Sequence, residues 1–345
     1  MPSLLASSGA SSDKFASFDV APWIWAVFAA TVVLLLVLDV VLVHRTKEHV
    51  ITLREAAIES AVWISIGLGF TLFVAWWHGG QASGEYLAGY LIEKSLSVDN
   101  VFVWAVIFSY FRVPAQYQFR VLFWGVFGAL VLRAVFIFAG VALIERFEWV
   151  LYLFGVFLIY TALKIARHDE AEVHPESNPV LRLVRRVFPM TSDYDGEKLF
   201  TKANGRLLVT PLFAVLVVIE TTDVLFAVDS VPAILAVSRE QFIVFSSNAF
   251  AILGLRSLYF CLAGMADRFR YLNVGLAVIL AFVGVKMLIA KLVHLPTWLS
   301  LSVIVVTLVV AVVASLRADR RDGPPEDDLV EELIERSHDE DQPGH

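Results

Sequence analysis

Charge is scarce in this sequence. Only 18% of its 345 residues are Asp, Glu, Lys or Arg, while 58% are hydrophobic, and soluble globular chains carry about a quarter charged residues. That shortage excludes an ordinary soluble domain. Cysteine is scarcer still: Cys261 stands alone, so no disulfide can close within the chain and no redox compartment can be read from it. No basic n-region precedes the first apolar run, 23–43, which is also too long for a signal-peptide core, so it reads as a retained helix. The common catalytic signatures are missing as well: there is no HExxH, no Gly-rich phosphate loop and no nucleophile–base arrangement. No enzyme activity, catalytic residue, cofactor or nucleic-acid partner is therefore expected.

What the sequence does hold is apolar length. Crossing a hydrocarbon core of ~30 Å takes about 20 helical residues. Nine runs qualify: roughly 22–43, 57–77, 84–111, 119–144, 149–167, 207–237, 243–265, 270–293 and 297–316. The expected fold is an all-α polytopic membrane protein of about nine transmembrane helices set in a lipid bilayer. Alternate connections divide sharply in Lys and Arg, with seventeen on one side and four on the other (Lys14, Arg146, Arg239 and Lys291). The basic side is cytoplasmic, which puts the N-terminus outside and the C-terminus inside. The tail after Leu316 has eleven acids against four arginines and supplies most of the net charge of −7. It reads as solvated, with a short helix over 327–336. The loop 168–206 reads as cytoplasmic, with a surface helix over 180–188. The eight histidines read as solvated, and Trp23, Trp25, Trp76, Trp77, Trp149 and Trp298 as interfacial anchors.

Self-similarity organises the spans further. EKSLSVDNV (93–101) in span three aligns with DVLFAVDSV (223–231) in span six, so Glu93 matches Asp223 and Asp99 matches Asp229. Phe127 and Arg133 in span four match Phe250 and Arg256 in span seven, at an offset of 123. Arg146-Phe147 and Lys164 match Arg268-Phe269 and Lys286, at an offset of 122. Each unit holds three spans, and an odd number inverts the second copy across the membrane, as in many secondary transporters. The expected division is an extracytoplasmic segment 1–21, two additional helices 22–83, a first repeat 84–167, the loop 168–206, an inverted second repeat 207–293, a final helix 294–316 and the tail 317–345.

Within these spans lie Glu93, Lys94 and Asp99, then Glu220, Asp223 and Asp229, with Asp39, Arg133, Arg256 and Lys286 elsewhere. An ionisable side chain near the bilayer centre costs at least ~2.5–3.5 kcal/mol. The acids are thus expected to face protein or water, beside Ser95, Ser97, Asn100, Thr221, Thr222 and Ser230. Carboxylate, amide and hydroxyl oxygens suit Mg²⁺, Ca²⁺ or Mn²⁺. No Cys or His accompanies them, which argues against zinc or copper. Arg133 and Arg256 read as counter-charges, or as stand-ins for the metal, and Glu59 as a membrane-edge charge outside the site. Glu220 and Asp229 fall on nearly opposite faces of a straight helix. Pro232 is expected to kink or unwind span six near Asp229 and re-aim it.

EKSLSVDNVF (93–102) and ETTDVLFAVDSVPAI (220–234) resemble the two signature segments of the TerC family of bacterial integral membrane proteins. FSYFRVPAQYQFRVLFWG (108–125), NAFAILGLRSLYF (248–260) and DRFRYLNVGL (267–276) extend the resemblance to roughly 21–316. The family is named for tellurium resistance, and some members are associated with manganese export and pH-linked manganese homeostasis. Its superfamily, which includes lysine exporters, uses two inverted three-helix repeats. The resemblance implies a multi-pass protein of the bacterial inner membrane that exports Mn²⁺, with Asp99 and Asp229 as paired midplane ligands supported by Glu93, Asn100, Glu220 and Asp223. Oxygen ligands alone admit Ca²⁺ too. Carboxylates that release a metal can take up protons, so proton coupling is open. The alternative is a membrane scaffold for a stress-response or secretion complex, working through loop and tail with unknown protein partners.

Overall fold

A computed structural model of the chain describes residues 15–43, 52–147, 149–167, 181–183, 186, 189–191, 194–203, 206–262, 271–290, 292–293 and 295–322. The helix expected over 327–336 and the matched pair Arg268-Phe269 lie outside these residues. Of the stretch 180–188, only 181–183 and 186 are described, and all four are helical.

The elements run α1 (Pro22–Val43), α2 (Leu53–Phe111), α3 (Ala115–Arg146), α4 (Val150–Ala166), β1 (Phe200–Ala203), β2 (Arg206–Val209), α5 (Pro211–Leu235), α6 (Gln241–Ile252), α7 (Leu255–Leu262), α8 (Leu272–Ile289) and α9 (Thr297–Asp322). Among the described residues, six helices are long and apolar enough to cross a membrane. The pair α6 and α7, bent by 40°, makes a seventh if it counts as one span. This is an all-α, multi-span integral membrane protein.

Helix α2 opens on a capping box in which Thr52 and Glu55 satisfy each other's backbone N–H groups. At 59 residues it would extend ~88 Å if straight, far beyond any bilayer. It breaks at Gly79, whose φ of 83° is open to glycine and strained for other residues. Residues 53–78 and 80–111 are each long enough to cross a bilayer by themselves.

Span six departs from expectation at both ends. Its helix begins only at Pro211, because Arg206–Val209 pairs antiparallel with Phe200–Ala203. Asn204-Gly205, a dipeptide that favours hairpin turns, was the signal for that pairing within the presumed loop. Asp195 accepts from the Thr201 hydroxyl at 2.7 Å and from Lys198 at 3.0 Å, which holds its carboxyl below the ordinary carboxylate range. At the other end, α5 stays helical through Asp229 to Leu235, so the expected unwinding around Pro232 is not there. Pro232 lacks the N–H that would reach the Val228 carbonyl, yet the helix continues through it to Leu235. The break lies in span seven instead, at Leu253-Gly254, where Gly254 has a φ of 78°. A Cβ at Gly254 would lie 2.4 Å from the Trp63 side chain, so the break also brings α2 close.

Helix α2 packs along α6 and α7, α3 packs along α5, and α4 packs along α8. The α4–α8 crossing is tight: a Cβ on Gly155 would sit 3.0 Å from the Gly284 carbonyl oxygen, and one on Gly284 would sit 2.8 Å from that of Gly155. Neither backbone can yield cheaply. Gly284→Ala is expected to destabilise the protein by ~1–3 kcal/mol, read as a lowered Tm in detergent. An unchanged Tm would show that the helices can separate without loss.

The segment before α1 is tied down. Ala16 N–H donates to Glu85 at 2.8 Å, Phe18 N–H donates to Glu240 at 3.2 Å, and the Phe18 ring stacks on His78 with centroids 3.5 Å apart. His78 is thus a packed residue, not the solvated one expected. Trp23, Trp76, Trp149 and Trp298 are exposed as interfacial anchors would be. Trp25 and Trp77 instead meet Phe242 within an aromatic cluster, at 5.2 and 5.6 Å.

Candidate functional site

Arg133 lies at the middle of α3 with only 1% of its surface exposed. Its Nε and Nη2 donate to the two carboxylate oxygens of Asp223 on α5, at 3.3 and 2.9 Å. Its Nη1 donates to Glu93 on α2 and, at 3.1 Å, to the Ser230 hydroxyl on α5. Glu93 and Asp223 are buried too. One planar fork thus gathers carboxylates from two other helices. The geometry suits arginine, whose guanidinium donates two parallel bonds to a carboxylate. With both acids ionised, the cluster retains one negative charge in excess, which favours a further cation nearby.

A second arginine repeats the motif elsewhere. Arg256 on α7 donates from Nη2 to Asp39 of α1 at 2.8 Å and to Glu59 of α2 at 2.6 Å. Its guanidinium also covers the Phe119 ring at 4.2 Å. Both arginines therefore hold two carboxylates each, one pair in the centre of the bundle and one toward α1.

Glu220 lies one turn before Asp223 on α5, so the two carboxylates repel one another. It rests against Gly128 of α3, where even a Cβ would overlap its carboxylate. Its Oε2 is buried without a hydrogen-bond partner. On α2, Glu93, Ser97, Asn100 and Trp104 recur at helical spacing and form one buried face. Along it, Glu93 Oε2, Ser97 Oγ and both amide atoms of Asn100 have no hydrogen-bond partner. Asp229 accepts from the Thr161 hydroxyl of α4 at 3.0 Å, with Lys164 of the same helix within electrostatic reach. Asp99 is half-buried and sits about 120° around the helix from Glu93.

The sequence profile described as "Integral membrane protein TerC family" matches residues 78–323. The chain belongs to the TerC family. It is 51% identical over 299 residues to "Uncharacterized membrane protein STKORF319" of Myxococcus xanthus, covering 87% of this chain and 93% of that one. It is 46% identical over 315 residues to "Putative membrane-bound redox modulator Alx" of Escherichia coli K12, covering 88% and 98%. A further "Uncharacterized membrane protein", from Rickettsia bellii, is 38% identical over 292 residues, covering 85% and 96%. No solved structure matches the chain.

In this TerC-family protein the six acids and amides singled out from sequence do not form one cage. Among the described residues, no three Asp, Glu, His or Cys side chains gather closely enough to hold a metal ion together. Glu93 and Asp223 meet through Arg133, Glu220 lies beside them, Asn100 extends their face, and Asp229 faces α4. Lys94, adjacent to Glu93, donates to the Ala251 carbonyl at 3.2 Å.

Two carboxylates enter buried ion-pair or hydrogen-bond networks that the sequence reading did not assign to them. Glu59, read as a charge outside the site, is one of the two carboxylates on Arg256. Asp39 is its partner there. Glu85 is fully buried, accepts from Ser238 at 2.7 Å and from Ala16 N–H, and lies in the field of Lys286. Its signal was present, since it lies inside an apolar run where the cost of a buried charge applies as it does to Glu93.

Proposed function

We propose that this chain is a transporter exporting a divalent metal ion, Mn²⁺, across the bacterial inner membrane through its intramembrane carboxylates. One observation carries the reading: Glu93 and Asp223, which match each other between the two copies, converge in the interior on a point already held by a cation, Arg133. A point that binds a guanidinium between paired carboxylates has the charge and the oxygen donors a hard divalent ion needs. Glu220, Asp229, Asp99 and Asn100 supply further oxygens along the same helices as ligands of the moving ion.

The helix pairing supports an inverted repeat of three spans each. α3 lies along α5, with Gly125 against Ile219. The matching positions in the other pair are Asn248 and Gly89, and Gly89 meets the neighbouring Ser247 there. α4 and α8, which match one another, pack together. With nine crossings, the N-terminus would be outside and the C-terminus cytoplasmic, and one repeat rocking on the other would alternate access.

The Escherichia coli relative's name points to redox modulation. Thiol–disulfide chemistry within this chain would need a second cysteine besides Cys261. Export of a metal that takes part in redox stress reconciles that name with the carboxylates.

Proteoliposomes containing the purified protein decide the reading. Mn²⁺ flux is expected to exceed that of Mg²⁺, Ca²⁺ and Zn²⁺ and to respond to a pH gradient, and Asp99→Asn is expected to suppress it. If no metal moves, while deleting 168–206 or the tail abolishes the cellular phenotype, the scaffold alternative replaces the transporter.

A further inference from the structure

The two arginines occupy matching positions in the two copies, yet their surroundings do not match. In the sequence correspondence Arg133 exchanges with Arg256, Glu93 with Asp223, and Ser230 with Asn100. Carrying the contacts of Arg133 across gives Arg256 bonded to Asp223, Glu93 and Asn100. Those carboxylates are the same two that Arg133 already holds. Two guanidiniums cannot fill one place. In the structure Arg133 fills it, and Arg256 is held by Asp39 and Glu59.

The atoms left over are informative. Buried polar atoms in folded proteins are nearly all hydrogen-bonded, and exceptions call for an explanation. Here Arg256 Nε and Nη1, both amide atoms of Asn100, and Glu93 Oε2 are buried without partners. They include the donors and acceptors that the mirrored arrangement would join: guanidinium N–H groups with the free carboxylate oxygen and the amide. Arg256 is also placed to move. It lies two residues beyond Gly254, in the break after α6, on the short helix α7, which is bent by 40° from α6. Small loop positions that absorb a change in φ and ψ are where hinges form.

We propose that Arg133 and Arg256 take turns on the Glu93–Asp223 pair. In the exchanged arrangement α7 carries Arg256 away from Asp39 and Glu59, Asn100 replaces Ser230 as the neutral partner, and Arg133 withdraws. Asn100 and Arg256 are then positioning residues for the second state of the protein. Between the two arrangements the carboxylate pair is free to take a divalent cation. The use of the exchange rests on the transporter reading, but the exchange itself needs no metal.

The test places spin labels on the native Cys261, five residues beyond Arg256 on α7, and on Leu38→Cys, exposed on α1 beside Asp39. Distances are measured by electron paramagnetic resonance in nanodiscs without added metal. The parent is expected to give a short distance and a longer one. Arg133→Lys keeps the charge but loses the fork on Asp223, and is expected to enlarge the longer population. Asn100→Leu breaks no hydrogen bond of the present arrangement, and is expected to shrink that population. One unchanging distance in all three proteins, or shifts in the same direction, would overturn the exchange. Opposite shifts without metal flux in proteoliposomes would refute the transporter reading alone. Flux with a fixed distance would refute the exchange alone.

Discussion

Arg133→Leu is expected to lower stability by about 3–5 kcal/mol, because it leaves Glu93 and Asp223 buried against each other with no counter-charge. The penalty is one of desolvation more than of a lost contact, so it should be reversible by removing the charges themselves. Adding Glu93→Gln and Asp223→Asn to Arg133→Leu is expected to recover most of the lost Tm in detergent, since a buried charge network can often be replaced by neutral groups at little cost. Manganese efflux, in contrast, should stay absent in that recovered variant. The combination separates the two roles proposed for the acids: stability is expected to follow the balance of charge, and transport the carboxylates. Should Arg133→Leu prove as stable as the parent, Arg133 would not be the counter-charge of the central pair.

Asp229→Asn is expected to abolish protection of cells against excess manganese, while Thr161→Val weakens it in a graded way. The Thr161 hydroxyl donates to Asp229 at 3.0 Å. Removing that donor leaves the carboxylate in place but no longer oriented. Loss of a hydrogen bond that orients a metal-binding side chain typically costs 10–100-fold in metal affinity. Thr161→Val should therefore shift the manganese dependence of flux by about that factor, with the maximal rate largely kept. A Thr161→Val protein with unaltered manganese dependence, beside an inactive Asp229→Asn, would mean that the hydroxyl serves packing only.

Much of the fold was legible in the sequence because a membrane helix answers to few constraints. Its backbone must satisfy itself, so apolar runs of sufficient length mark the spans. The ranges of α1, α3, α4, α8 and α9 fall close to the runs read from composition. Where the reading erred, the cause was local and physical. Asn204-Gly205 was overlooked, so part of a hairpin was merged into span six. Pro232 signals a break in the sequence, yet neighbouring packing carries the helix through it to Leu235. The break that does occur, at Gly254, needs a backbone conformation that a sequence can permit but cannot announce.

The site divides in the same way. That acids lie within apolar runs, and that 93–101 aligns with 223–231, is readable in the sequence, because the cost of a charge in hydrocarbon depends on residue type and depth. Glu85 was readable on the same ground. Who holds whom is not. The sequence correspondence offers Glu93 and Asp223 to either arginine equally, and only tertiary packing seats Arg133 between them and leaves Arg256 with Asp39 and Glu59. An ion pair forms between side chains that the folded helices bring within about 3 Å. That distance is set by crossings such as Gly155 on Gly284 and by the bend at Gly254, not by spacing along the chain.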